Sequence, residues 1–283
     1  MTLTLSELKR LDSTPPWDWP EDVGPALLEI LRDRSAGEPE RMLATELAGN
    51  AVVINDDVVD ALLTALRCDD ESENVRSRAA ISLGPVLELC DTEGFDDPDA
   101  VWISQRTFRK IQTAMRALFF DAVVPKEVRR RVLEASARAP LEWHQGAIRS
   151  ACASDDEEWK LTAVFCMQYV AGFNEQILES LDSRNPGIHV EAVLAAGTWA
   201  IGAAWSHVVR LVSAQSIEKR LLLAAISAVG GIRPQEAPEV LDHLAESDDP
   251  DVAEAVLEAT SMNDGEWDED DEGDDEDDED DEK

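Results

Sequence analysis

Four histidines, four cysteines and one concentration of arginines are the residues whose types could do chemistry in this chain. His144, His189, His207 and His243 are scattered, and no two stand four apart on one helical face, the spacing at which a helix offers two imidazoles to a metal. Cys68, Cys90, Cys152 and Cys166 form no CxxC pair and fall inside apolar helical patterns, which reads as buried free thiols in a reducing, cytoplasmic setting. Serine, histidine and acid show no GxSxG or related arrangement. No glycine-rich phosphate loop follows a strand. The expectation is no catalytic residue, no metal and no cofactor.

What remains is cationic. Residues 105–149 carry ten basic against four acidic side chains, a local +6 in a chain of net charge −36. Arg106, Arg109, Lys110, Arg116, Lys126, Arg129, Arg130 and Arg131 form the candidate patch for an anion or a partner protein, because guanidinium meets carboxylate with two parallel N–H bonds. The competing reading pairs these side chains with acids of neighbouring elements, or lays them over apolar surface.

The elements that must position these residues read as helices. Of 283 residues, 44% are hydrophobic and 5% aromatic. That composition suits close-packed helices rather than a β-sandwich. In Glu73–Gly84, Val75, Ala79, Ala80 and Leu83 recur on one helical face, Arg76 and Arg78 lie off it, and Gly84-Pro85 reads as a stop or kink. The frame returns as Ile188, Ala192, Val193, Ala196, Gly197 and as Leu221, Ala225, Ile226, Val229, Gly230. Seven helical hairpins follow between residues 23 and 261, with a period of about 30–35 residues, the range of helical repeat arrays. Asn185-Pro186 and Asp249-Pro250 are cap-and-start signals for two of the second helices. Residues 91–102 read as an inserted loop.

The predicted organisation is a cap over 1–22, a solenoid over 23–261 and an acidic tail over 262–283. A short helix over 4–12 leads the cap, and Trp17 and Trp19 close the first repeat or form a docking site. The last twenty residues hold 16 acids and one lysine, so this tail is expected to be disordered. It either solubilises the chain or docks on a basic surface, with Trp267 as its anchor. Nineteen of the 25 basic residues are arginine, which fits either a high-salt cytoplasm or a plain acidic soluble protein.

The turn-Val-Arg, Ala-Ala, Leu-Gly order of Glu73-Asn74-Val75-Arg76, Ala79-Ala80 and Leu83-Gly84 resembles the HEAT-like repeat. Val128-Arg129 and Val252 match its start, and Trp159 departs from it at the Val position. The short period is similar to the subclass found in phycobilin lyase accessory proteins and in deoxyhypusine hydroxylase. The resemblance implies an all-α, right-handed α-solenoid of about seven HEAT-like hairpins. The hydroxylase branch holds two irons with His-Glu pairs, whereas here the four histidines are followed by Gln, Val, Val and Leu.

The function expected is a non-catalytic scaffold or adaptor that holds a protein partner along a curved helical surface. The alternatives are an acidic chaperone or anti-association factor shielding a basic protein, and a lyase-type accessory subunit. Nucleic acid and membrane partners are not expected of so acidic a body without a signal or spanning segment.

Overall fold

A computed structural model describes residues 3–97, 101–214 and 216–261. Among the described residues the chain is all-α, with short 3-10 turns and no strand, and it forms two compact units that divide between Ala195 and Ala196. The acidic tail and its Trp267 lie outside the described residues.

In the first unit α1 is Leu5–Asp12, α2 Val23–Arg32, α3 Glu38–Ala48, α4 Asp56–Arg67, α5 Glu73–Ser82 and α6 Gly84–Glu93. They are followed by α7 Gln105–Phe120, α8 Lys126–Ser136, α9 Glu142–Cys152, α10 Glu157–Cys166 and α11 Asn174–Ser180. The unit boundary falls near the end of α12, Pro186–Thr198. Helices pair as hairpins, α2 with α3, α4 with α5, α7 with α8 and α9 with α10. Second helices stack on second helices, α3 on α5, α5 on α8 and α8 on α10. First helices stack as α2 on α4 and α4 on α7. This is the solenoid arrangement: no single hairpin buries its apolar face, and the stack does.

The second unit contains α13 Trp205–Val212, α14 Lys219–Ile232, α15 Ala237–Leu241 and α16 Pro250–Ser261. There α14 packs on both α13 and α16. No described helix is long and apolar enough to cross a membrane.

Side-chain caps set many starts. Asn55, Ser72, Ser104, Asp156 and Glu218 each accept from a backbone N–H in the first turn of the helix that follows. Asn185 and Asp249 do the same, accepting from Gly187 and Asp251 at 3.0 and 3.1 Å. Thr4 and Glu7 close a capping box on α1. The Trp19 indole N–H donates to the carbonyls of Leu11 and Thr14, and its ring packs on the N-terminal core, whereas Trp17 is 79% exposed.

Two local readings are corrected. Gly84 does not end its helix: the chain breaks at Leu83, and Gly84-Pro85 opens α6, where a missing N–H costs nothing. Gly49 ends α3 as expected, whereas Gly197 and Gly230 lie within their helices, and all three mark close approach. A Cβ on Gly49 would lie 2.6 Å from the Ser82 carbonyl oxygen in the next second helix. On Gly197 it would lie 2.8 Å from Ala228 Cα, and on Gly230 2.8 Å from the Ala259 carbonyl oxygen.

Arg76 also differs from expectation, being buried at 4% exposure. Its Nε donates to the Leu66 carbonyl at 3.0 Å, and Asp69 accepts at 3.2 Å. Arg41, the matching fourth residue of α3, donates to the carbonyls of Ile30, Leu31 and Asp33 and pairs with Glu71. Each guanidinium thus satisfies the orphan carbonyls that end the preceding helix.

Candidate functional site

The fourth residue of α8 is Arg129, and it does not repeat this cap. Arg129 makes no ion pair among the described residues, its Nε is buried without a hydrogen-bond partner, and its guanidinium lies 5.9 Å from the Trp159 ring centre. Around it opens a groove of about 620 Å³ between the end of α7 and the outer face of α9. Phe119, Phe120, Trp143 and Trp159 wall it, and Gly146, Ala147, Ser150 and Ala151 form its floor. Phe119 stands 5.2 Å from Trp143 and 6.2 Å from Trp159, and Phe120 stands 5.6 Å from Trp143, all within aromatic contact range.

The groove continues through Phe120 into a second hollow of about 560 Å³, lined by Arg109, Gln112, Thr113, Arg116, Ala117 and Leu141. Phe120 is 60% exposed and Leu141 40%. The two hollows together present three guanidiniums and four large rings, with no carboxylate among the lining residues.

Trp143 is fixed from behind. His144, 1% exposed, stacks on it at 3.8 Å. Its Nδ1 accepts from the Leu141 backbone N–H at 2.8 Å, which leaves Nε2 protonated to donate to Ser136 Oγ at 3.0 Å. Burial pushes this imidazole down to about 4, against a smaller opposing effect of the Leu141 hydrogen bond. It is neutral at physiological pH. The indole Nε1 of Trp143 has no hydrogen-bond partner among the described residues.

The candidate patch divides. Arg109, Arg116 and Arg129 come together along the groove. Arg106 is exposed on α7 without an ion pair among the described residues. Lys110 pairs with Asp60 at 2.5 Å. Lys126 bridges Asp156 and Glu158, and hydrogen bonds to Glu158 and then Asp156 raise its pKa. Arg130, 3% exposed, meets Glu127 at 2.6 Å and the Thr162 hydroxyl at 3.0 Å. That hydroxyl donates to Glu134 at 2.6 Å, and Arg131 bridges Glu127 and Glu134 at 2.7 Å each. These last three cations are held by a carboxylate network joining α8 and α10.

The aromatic walls were not visible as a set in the sequence. The one signal was Trp159, a large ring at the third position of a second helix, where Val75 and Val128 stand in others.

Of the other candidates, His243 Nε2 lies 3.0 Å from the Val212 carbonyl oxygen. The four cysteines are free thiols, and burial raises Cys90 to about 11. Among the described residues, no three His, Cys, Asp or Glu side chains are grouped to hold a metal ion.

No family model and no curated protein matches the chain. Among solved structures it is similar to YibA of Escherichia coli, at 18% identity over 92% of this chain and 93% of that one, with a TM-score of 0.43. It is similar to human deoxyhypusine hydroxylase, solved with glycerol, at 15% identity over 91% and 96%, TM-score 0.38. It is also similar to a designed armadillo repeat protein, at 17% identity over 84% and 98%, TM-score 0.33.

Proposed function

We propose that this chain is a non-catalytic helical-repeat adaptor that holds another protein, and that the groove between α7 and α9 is its principal contact surface. The observation that carries this reading is the groove: large rings reaching solvent beside unpaired arginines, the residue types enriched where binding energy concentrates. In the same reading the chain is a short-period HEAT-like protein, similar to the phycobilin lyase accessory subclass, working in the cytoplasm without a cofactor. The human hydroxylase is an enzyme, but no histidine here is followed by the glutamate that its branch uses.

The test is affinity purification of the full chain from its native cells. A stoichiometric protein partner retained at about 0.5 M salt, where screening acts within a few Å, supports the adaptor. Iron, zinc or a chromophore retained through dialysis, and lost on replacing His144, His189, His207 or His243, defeats it. The net charge of −36 favours one second reading, an acidic factor shielding a basic protein, whose complex dissolves at that salt.

A further inference from the structure

We infer that the groove between α7 and α9 receives a short acidic peptide segment bearing one large apolar ring, an inference that rests on the adaptor reading and names its ligand. Arg109 and Arg116 lie seven residues apart on α7, on the same face, so they repeat along the helix at about 10 Å. Carboxylates three residues apart on a peptide in polyproline II conformation stand one full turn apart, on one face, and repeat at about 9 Å. Phe120 follows Arg116 by one more turn, about 6 Å, or two residues of the same segment. The ligand pattern is therefore acid, two residues, acid, one residue, ring, read in either direction. The ring enters the hollow between Phe119, Phe120, Trp143 and Trp159, where edge and offset contacts are available on several sides. Arg129 stands at the far wall, where its guanidinium meets a further carboxylate or a peptide carbonyl.

Charge selects the ligand twice. The lining has arginines and no carboxylate, which favours acids over neutral or basic segments. Immediately outside the lining, Asp121, Glu142 and Asp155 are exposed. A nucleic acid strand longer than the groove would run over these, on a chain already at −36, whereas a short peptide stays within the cationic stretch. Gly146 sets the depth, since a Cβ there meets nothing within 4 Å and any longer side chain projects into the hollow.

The test uses the full chain and a labelled peptide, Gly-Glu-Ala-Ser-Glu-Ala-Phe-Ser-Gly, with anisotropy read at about 0.1 M salt. Binding should weaken at least tenfold when both peptide glutamates become glutamine, and again when its phenylalanine becomes alanine. It should weaken at least tenfold in Arg109→Glu with Arg116→Glu and in Gly146→Asp, and be unchanged in Gly146→Ala. The arginines are exposed and the glycine is open to solvent, and an unchanged helical melt confirms folding of each variant.

Equal binding of the glutamine peptide overturns the inference. So does tighter binding of a nine-residue oligothymidylate. A tenfold gain on deleting residues 262–283 also overturns it, by making the chain's own acidic segment the occupant. A co-purified partner that stays on both groove variants sinks this inference while leaving the adaptor standing. If no partner co-purifies, it is the adaptor that fails.

Discussion

The space between α2 and α4 and the space between α7 and α9 are the same place in two repeats, and they differ almost wholly in side chains. Both are floored by the fifth, sixth, ninth and tenth residues of a first helix: Asp60, Ala61, Thr64 and Ala65 in one, Gly146, Ala147, Ser150 and Ala151 in the other. Both are walled by the last two residues of the preceding first helix, Leu31 and Arg32 against Phe119 and Phe120. Both contain the fourth residue of a second helix, Arg41 against Arg129. In the first, Glu71 neutralises Arg41, and the remaining hollow is about 210 Å³. In the second, Trp159 lies against the arginine, Gly146 stands where Asp60 would, and the hollow is about 620 Å³. One scaffold position thus serves as a structural latch in one repeat and as a binding surface in another, decided by a few substitutions.

The largest test of that contrast exchanges the two arginines for methionine in turn. Arg41→Met leaves Glu71 and the carbonyls ending α2 without a partner and should cost about 3–5 kcal/mol in urea unfolding. Arg129→Met should cost under about 1 kcal/mol, as for a change away from any network. Equal losses would mean that Arg129 caps its hairpin in solution. The pH dependence of His144 comes next. Its folded pKa, about 4, lies below the ordinary 6.5, so the unfolded chain binds the extra proton. Its contribution is complete above pH 6.5 and is lost as pH falls towards 4, up to about 3 kcal/mol. His144→Gln should flatten the melting curve over that window relative to the parent, and parallel curves would contradict the neutral imidazole behind Trp143.

Smaller effects separate the two kinds of glycine. Gly49→Ala forces a methyl against the Ser82 backbone and should destabilise by about 1–3 kcal/mol. Gly146→Ala, with open space around it inside α9, should stabilise by up to about 1 kcal/mol in thermal melting. A loss at Gly146 would show that the floor of the groove is closed in solution.

The hairpins were legible because apolar spacing and caps agree locally with the stack they serve. Asn185-Pro186 and Asp249-Pro250 mark their helix starts with no tertiary knowledge. The glycines were legible in position but only partly in meaning, because helix ends, as at Gly49, and backbone contacts both select a missing Cβ. The arginines were harder still. Arg41, Arg76 and Arg129 occupy one frame, and what separates them is the partner supplied by another segment, Glu71, Asp69 or the Trp159 ring. Charge counting over 105–149 could not see that Arg130 and Arg131 are held by Glu127 and Glu134 across a shared threonine. Nor could it see that rings from three different helices converge on Arg129.

The glycine contacts have a mechanical consequence. In the first unit Gly49 presses on Ser82, and Gly84 sits against Arg138 and the Ala135 backbone. At Gly49 the second helices α3 and α5 meet nearly backbone to backbone and have little room to widen. First helices approach one another less closely than second helices do, so their spacing can follow the size of what stands between them. The unit resembles a book bound along one edge: pages can be spread at the fore-edge without loosening the spine. Evolution can widen one gap, as between α7 and α9, and leave the neighbouring repeats in register.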